Sequence, residues 1–233
     1  MDALLAFDTA TERTCIALEV GGRVWQREGE GGAKASAAFL PAVMALLGEA
    51  GIGPRDLDAV AFGRGPGAFT GLRIACAVAQ GLALGAGKPV LPIDTLLAVA
   101  EDAREGAAAC RVWALLDARM NEIYAAHYLH GAGGWEVLAA PQLLTAEALN
   151  RLWEDAPPAC VAGNALAAFG HRLRTGAARR RPEAAPRAGA LLTLARRLWQ
   201  AGGALDPALA LPCYVRDKVA DTSAERAARV LAA

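Results

Sequence analysis

The chain has 233 residues, 55% of them hydrophobic, and its 24 Lys and Arg balance its 24 Asp and Glu. A chain of this length and composition can bury a substantial core, which excludes the disordered and fibrous classes. The balanced charge argues against a long-range field that would draw the protein onto nucleic acid or an anionic membrane, so any RNA contact must be local or supplied by a partner.

The cysteines and the apolar runs bear on the compartment. The five cysteines are scattered without a Cys-x-x-Cys pair, which fits reduced thiols in the cytosol and argues against a zinc or disulfide framework. The first residues lack the basic and apolar regions of a signal peptide. The longest apolar run, 74–87, is shorter than the roughly 18 to 20 residues of a membrane helix. We therefore expect a cytoplasmic protein without a membrane segment.

The first half of the chain predicts three strands followed by alternating helices and strands. Strands are expected at 3–7, 15–20 and 24–27, the last two separated by the turn dipeptide Gly21-Gly22. Apolar residues at helical spacing predict a helix over 36–50, and a buried strand is expected at 58–62. A glycine-rich loop, a helix at 72–85, a strand at 89–93 and a helix opened by Asp94 or Thr95 complete this half.

The second half repeats this order of elements. The predicted strands are 112–116, 122–128, 135–139 and 159–162, and the predicted helices are 146–153, 165–173 and 188–201. Two β-β-β-α-β-α units predict layered α/β domains, because helices must cover each apolar sheet face. We expect domains at 1–105 and 106–206, a linker near 105–109, and a C-terminal segment 207–233 whose helix, near 224–231, packs back on the first domain.

The glycine-rich loop runs Gly63-Arg64-Gly65-Pro66-Gly67-Ala68-Phe69-Thr70-Gly71-Leu72-Arg73. Its glycines allow close backbone approach, Pro66 restricts one backbone angle, and the loop opens onto a helix N-terminus. Free amides there favour phosphate, and Thr70 adds a hydroxyl. The alternative is that the glycines only permit a tight turn against a neighbouring segment. Taken alone, the loop favours that alternative, because short glycine patterns often match by accident.

The same eleven residues resemble the hallmark of the TsaB/YeaZ family, and further matches follow in order along the chain. These matches are 5–11, Phe39-Leu40-Pro41, 79–83, Asp117-Ala118-Arg119-x-x-Glu122-x-Tyr124 and Pro212-x-Tyr214-x-Arg216. The resemblance covers essentially the whole chain. It implies an actin-like, sugar-kinase-like fold of the ASKHA (RNase H-like) type. It also implies a non-catalytic relative of TsaD, the subunit that transfers threonylcarbamoyl to the adenosine beside the anticodon of tRNA.

TsaD-like proteins carry a His-x-x-x-His metal pair, which this chain lacks. Counted from the preceding strand, the two ligand positions fall on Thr95 and Val99. Val99 has no donor atom, and Thr95 is better explained as a helix cap. His127 and His130 point to opposite faces of an extended segment, so they cannot share a metal ion. We therefore expect neither a metal site nor a catalytic residue.

Nucleotide binding is the second kind of chemistry to weigh. Asp8 and Thr9 end the first strand, where actin-like ATPases place an acid and a hydroxyl that organise metal and phosphate. The corresponding turn in the second half, 118–121, contains no glycine, so a two-sided phosphate cradle is not supported. The candidate phosphate contacts are Asp8, Thr9, Gly65, Gly67 and Thr70. We expect no cofactor of its own, with ATP or ADP confined to the partner interface.

Two helices predict a partner surface. The helix from Ser36 carries two adjacent apolar stripes, too wide a face for one layer contact, and the helix after the glycine loop alternates small residues that let another helix approach closely. The resemblance implies that both helices bind TsaD or a second copy of the chain, whereas the alternative is a thicker core. The predicted interface residues are Phe39, Leu40, Val43, Met44, Leu47, Arg73, Ala77, Gln80 and Gly81.

Two charged segments leave alternatives open. Asp117, Arg119 and Glu122 are interpreted as structural ion pairs in a hairpin, with a partner contact as the alternative. The basic stretch 172–187 is the best local candidate for an RNA contact, but a solvated, disordered loop is favoured because glycine and proline interrupt it.

The leading functional hypothesis is a scaffolding subunit. It binds and activates a TsaD-like catalytic subunit together with a TsaE-like ATPase, forms a homodimer when alone, and meets tRNA only through the complex. The alternatives are an ATP-dependent enzyme of the actin-like fold, an M22-type glycoprotease, and a homodimer with a different partner. The missing histidine pair and second phosphate loop argue against both enzymes.

Overall fold

The computed structural model describes residues 1–31 and 35–216 and contains two sheets of five strands each. The first half comprises β1 (Ala3–Asp8), β2 (Arg13–Val20), β3 (Arg23–Glu30), α1 (Ala35–Glu49), β4 (Ala59–Gly65), α2 (Phe69–Ala86), β5 (Val90–Asp94) and α3 (Thr95–Arg104). The second half comprises β6 (Cys110–Asp117), β7 (Ile123–Gly131), β8 (Gly134–Leu144), α4 (Ala146–Asp155), β9 (Cys160–Ala162), α5 (Ala165–Phe169), β10 (Arg179–Arg181) and α6 (Ala188–Gln200).

The two sheets share one topology. Their strand orders are β3-β2-β1-β4-β5 and β8-β7-β6-β9-β10, with the first three strands antiparallel and the last two joined in parallel. The predicted fold class, two copies of one β-β-β-α-β-α arrangement, is confirmed. The predicted linker near 105–109 lies between α3 and β6, where one sheet ends and the next begins.

The central strand β1 is apolar at nearly every position because helices cover both faces of its sheet. Leu5 and Phe7 pack with residues of α1 and α2, whereas Leu4 and Ala6 face the other way and pack against α6. All six residues of β1 are buried. The strand therefore places Asp8, its last residue, in the interior of the molecule at the edge shared with β4.

Two helices cover the sheet of the opposite half. Helix α3 packs on β6, β7 and β9, while α6 packs on β1, β2, β4 and β5. The expected domain limits 1–105 and 106–206 thus separate the two sheets but not their covering helices, and they stay a prediction. The helix expected near 224–231 lies outside the described residues.

Helix α2 corrects one expectation about the chain. By its length and composition alone, this helix of 18 residues could cross a membrane. No apolar run long enough to cross a membrane was expected from the sequence. One face of α2, which includes Leu72, Ala75, Cys76 and Ala79, is buried against the first sheet. Such packing is typical of a helix that belongs to the core of a domain.

The basic stretch 172–187 is ordered, which corrects the disordered loop favoured from the sequence. Arg179–Arg181 form β10, an edge strand paired in parallel with β9. Arg181 pairs with Glu105, and Arg187 pairs with Asp102 at 2.6 Å, so the stretch is bound to the end of α3. The helix expected over 165–173 ends at Phe169 and continues only as one 3₁₀ turn.

Candidate functional site

The glycine-rich loop packs directly against the turn that follows β1. The Asp8 carboxylate accepts hydrogen bonds from the Thr95 hydroxyl and the Ala10 amide, both at 2.7 Å, and it is fully buried. A Cβ atom at Gly63 would overlap this carboxylate. Burial raises the pKa of Asp8 to about 6, even though both hydrogen bonds act in the opposite direction. Asp8 is therefore an interior residue whose carboxylate packs directly against Gly63 of the loop.

The later glycines have the same role. The Thr9 hydroxyl donates to the Gly71 carbonyl at 2.6 Å, and a Cβ atom at Gly71 would overlap the Thr9 carbonyl oxygen. The Ala68 amide donates to the Ala10 carbonyl at 2.8 Å, and a Cβ atom at Gly67 would overlap that carbonyl. The glycines are needed because two backbone segments touch.

The candidate phosphate contacts, which stay a prediction, differ in burial. Asp8, Thr9 and Gly65 are buried, and the polar side-chain atoms of Asp8 and Thr9 are engaged by protein groups. Gly67 is half-buried, and only Thr70 is exposed. The five residues do not form one open cradle, because the turn after β1 fills the space in front of the loop.

A cleft of about 370 Å³ lies between the two halves. The turn after β1, the glycine loop, the β6–β7 turn and the segment 213–216 line it. In the β6–β7 turn, Arg119, Met120 and Asn121 have φ values of 60°, 52° and 64°, a left-handed conformation that is rare for residues other than glycine. Hydrogen bonds hold the turn: the Arg119 amide donates to Asp117 at 2.9 Å, and the Glu122 amide donates to the Arg119 carbonyl at 3.0 Å.

The ion pairs expected in this hairpin are present in part. Arg119 pairs with Asp117 at 3.1 Å, and it also reaches across the cleft to Glu12 of the first half. Glu122 pairs instead with Arg216 at 2.8 Å. The β6–β7 turn therefore forms ion pairs with other segments, including the first half, as well as within itself.

The segment 210–216, here called the strap, crosses from one half of the molecule to the other. The Ala210 carbonyl accepts a hydrogen bond from the side-chain amide of Gln80 at 3.0 Å. The backbone amide of Cys213 donates to the Arg64 carbonyl at 2.7 Å. At its end the Arg216 guanidinium donates to the Ala118 carbonyl at 2.9 Å. The matched pattern Pro212-x-Tyr214-x-Arg216 lies in this segment, but no local signal predicts that it bridges the two halves.

The outward side of α1 and α2 forms an apolar surface, here called the α1–α2 face, and the two helices contact each other. Leu40 and Met44 are each 43% exposed, and Ala77 and Gly81 on α2 are also exposed. Leu84 extends the surface along α2 at 60% exposure.

The structure corrects part of the predicted interface set. Phe39, Val43 and Leu47 are buried in the core, because their side of α1 faces the first sheet. Gln80 is half-buried by its bond to the strap, while Arg73 is exposed and lies over the Phe69 ring at 3.8 Å. Of the predicted stripe Leu40, Met44 and Leu47, the first two side chains are exposed and Leu47 is buried.

Comparisons with known proteins agree with this architecture. A family model described as TsaD, tRNA N6-adenosine threonylcarbamoyltransferase, matches residues 32–184. The solved structure of YeaZ from Pseudomonas aeruginosa is 36% identical, covers 92% of this chain and 100% of its own, and superposes with a TM-score of 0.82. The chain belongs to the TsaB/YeaZ family.

Curated sequences named tRNA threonylcarbamoyladenosine biosynthesis protein TsaB align with part of the chain. The Haemophilus influenzae protein is 45% identical over 121 residues, which is 52% of this chain and 51% of that protein. The Escherichia coli protein is 42% identical over 131 residues, or 56% and 57% of the two chains. The chain thus spans about half the length of the curated relatives in these alignments.

The positions that would hold the metal pair of a TsaD-like protein are internal in this TsaB/YeaZ chain. Thr95 and Val99 are both fully buried, and the Thr95 hydroxyl is bonded to Asp8. His127 stacks on Trp113 with ring centroids 4.6 Å apart, whereas His130 lies on the other side of β7 beside Trp135. Within residues 1–31 and 35–216, no group of three or more His, Cys, Asp or Glu side chains is placed to hold a metal ion.

Four of the six arginines in the basic stretch 172–187 are ion-paired, whereas Arg179 donates to the Ala103 carbonyl at 3.1 Å. Besides Arg181 and Arg187, Arg172 pairs with Glu147 at 3.4 Å and Arg174 with Glu154 at 3.6 Å. Pairing with carboxylates lowers the local positive potential available to RNA. The stretch therefore offers weaker support for an RNA contact than its composition suggests.

Proposed function

We propose that this chain is a non-catalytic, cytoplasmic subunit of the machinery that forms threonylcarbamoyladenosine on tRNA. Its function there is to bind and activate a TsaD-like catalytic subunit together with a TsaE-like ATPase. The observation that carries the proposal is the match to YeaZ over the whole length of that structure. The names of the curated TsaB relatives support the pathway.

The residues of the site support a binding role over a catalytic one. Asp8 and Thr95, which stand where related enzymes place reactive groups, are fully buried and satisfy each other. Of the candidate phosphate contacts, Gly65 is also buried, Gly67 is half-buried and Thr70 is exposed. The proposal therefore assigns ATP or ADP to the interface with a partner, and it gives this chain no catalytic residue.

The α1–α2 face is the proposed contact surface for the TsaD-like subunit, and for a second copy of the chain when that subunit is absent. It combines exposed apolar side chains, Leu40 and Met44, with small residues that let a partner helix approach closely. The glycine loop supports this surface indirectly, because its contacts with Thr9 and Ala10 fix where α2 begins. Contact with tRNA is assigned to the complex as a whole.

Reconstitution of tRNA modification tests the function. The TsaD-like and TsaE-like proteins of the same organism are assayed for threonylcarbamoyl transfer to tRNA with and without this chain. We expect modification to depend on the chain, while the purified chain alone hydrolyses no ATP. Equal modification in its absence would refute the scaffolding role.

Charged substitutions test the surface. Met44→Glu and Ala77→Glu each place a carboxylate on the α1–α2 face, and burying that charge should weaken binding of the TsaD-like protein by tenfold or more, about 1.4 kcal/mol. Val137→Glu is the matched control, because Val137 is 54% exposed on β8 of the other half. Unchanged affinity of the Met44 and Ala77 variants, measured by calorimetry, would exclude this face as the contact surface.

A further inference from the structure

A second cavity, of about 740 Å³, shares no lining residue with the cleft. It is open to solvent and is lined by the ends of β4 and β5, helix α3, the β7–β8 hairpin and helix α6. Neither the strap nor the α1–α2 face contributes a residue to its lining. The lining residues that carry the argument are Arg64, Asp94, Leu97, Trp135, Arg197 and Leu198.

The charged groups of the cavity are two cations and one anion. Arg64 uses its Nε atom to donate to Asp94 at 2.6 Å, and its side chain is 42% exposed. Arg197 is 39% exposed, and one of its terminal nitrogens donates to His130 at 3.1 Å and lies 3.7 Å from the Glu101 carboxylate. A guanidinium has five N–H donors, so among the described residues both arginines keep unused donors. Each arginine is thus paired with one carboxylate and has spare N–H donors.

The groups behind the cavity hold Arg197 and Trp135 in place. The His130 Nδ1 atom lies 3.0 Å from the Ala108 carbonyl, which can only accept, so Nδ1 carries the proton and Nε2 accepts from Arg197. The Trp135 indole donates to Glu101 at 2.6 Å. Burial alone would raise the pKa of Glu101, but hydrogen bonds from Arg104 and Trp135 and the charges of Arg104 and Arg197 hold it below its usual value.

Apolar surface completes the cavity. Leu97, Leu198 and the Trp135 ring line it beside the arginines. A further polar group, the Tyr128 hydroxyl, lies near the Arg64–Asp94 ion pair and interacts electrostatically with both charges. This hydroxyl is buried and has no hydrogen-bond partner among the described residues. A few placed polar groups beside apolar walls are the ordinary composition of a small-molecule site.

We propose that this cavity binds a small organic anion, with its carboxylate on the free guanidinium nitrogens of Arg197 and an apolar or aromatic body against Trp135, Leu97 and Leu198. Arginine is suited to this contact because its planar donors match the two oxygens of a carboxylate. The spare N–H donors favour an anion, and the apolar wall distinguishes the ligand from inorganic phosphate.

Titration by ligand-observed NMR tests the site with phenylacetate as the probe. We expect saturable binding with a Kd of about 1 mM, an ordinary value for a ligand of about ten heavy atoms. Neutral phenylacetamide and inorganic phosphate should each bind at least about tenfold more weakly, since each lacks one half of the recognition. Absence of saturation, or equal binding of either comparison compound, would overturn the proposal.

Two variants locate the binding. Arg197→Gln should weaken phenylacetate about tenfold. Arg196→Gln is the matched control, because Arg196 directly precedes Arg197 in α6, is 43% exposed, and pairs with Glu19 outside the cavity. Ala201→Trp fills the cavity from an exposed lining position and should abolish binding even if Arg197→Gln impairs folding. Equal affinities in the Arg196 and Arg197 variants, or binding that survives Ala201→Trp, would refute the assignment.

Discussion

Replacement of Gly71 by Ala is the sharpest test of the glycine loop as a packing device. Gly71 lies in the first turn of α2, and an added Cβ atom would come closer than 3.0 Å to the Thr9 carbonyl oxygen. Because that oxygen belongs to the backbone, no side-chain rotation can relieve the overlap. Gly85→Ala is the matched control, since Gly85 is in the same helix and nothing lies within 4 Å of its added Cβ.

The expected magnitudes follow from three contributions. Overpacking at Gly71 costs about 1 to 3 kcal/mol, and strain on the hydrogen bond from Thr9 to the Gly71 carbonyl costs about 1 kcal/mol. The gain in helix propensity from Gly to Ala, about 1 kcal/mol, offsets part of this loss. Gly71→Ala should therefore destabilise by about 1 to 3 kcal/mol, whereas Gly85→Ala should stabilise by about 0.5 to 1 kcal/mol.

Urea unfolding followed by circular dichroism measures both variants. The free energies of unfolding should differ by about 1.5 to 4 kcal/mol between Gly71→Ala and Gly85→Ala, with unchanged m-values. A difference below about 1 kcal/mol would show that the loop tolerates a side chain at Gly71. The close approach to Thr9 would then not be the reason for the glycine.

Two further variants test the buried acid and the strap. Because burial raises the pKa of Asp8 from 3.8 to about 6, the folded state keeps a proton that the unfolded chain releases, so stability should fall by up to about 3 kcal/mol as pH rises from about 4 to 6 and level off above. Asp8→Asn should flatten this dependence in urea titrations at pH 4, 5, 6 and 7, and identical slopes in the two proteins would contradict the assignment. Arg216→Gln should lower the free energy of unfolding by about 1 to 3 kcal/mol, because Arg216 is 12% exposed and Glu122 loses its partner. The exposed pair Arg13–Glu28 is the comparison: Arg13→Gln should change stability by less than about 0.5 kcal/mol, and equal losses would show that the strap contact adds nothing.

The order of strands and helices could be predicted because the signals are local. Period-two and helical patterns, together with turn residues such as Gly21-Gly22, identified the elements of both halves to within a few residues. Strand β10 was missed for the same reason. Three consecutive arginines carry no apolar alternation, and their pairing with β9 depends on an edge that the sequence does not display.

The site was harder to predict because its residues are far apart in the chain. The Asp8 carboxylate is explained by Thr95, 87 positions away, and no local pattern relates the two. The wide apolar surface of α1 was visible in the sequence, but the sequence does not show which side of the helix faces the sheet. Burial of Phe39 and exposure of Met44 depend on where α1 docks.

The sequence by itself determined the family resemblance, the duplicated element order, and the absence of imidazole at Thr95 and Val99, because each of these is a matter of residue identity or short-range spacing. Only the tertiary structure decided that α3 and α6 each cover the opposite sheet, that the strap joins the two halves, and that the glycines of the loop pack closely against neighbouring segments of the chain. Those outcomes depend on contacts between distant segments, whose free energies are set by how whole faces pack.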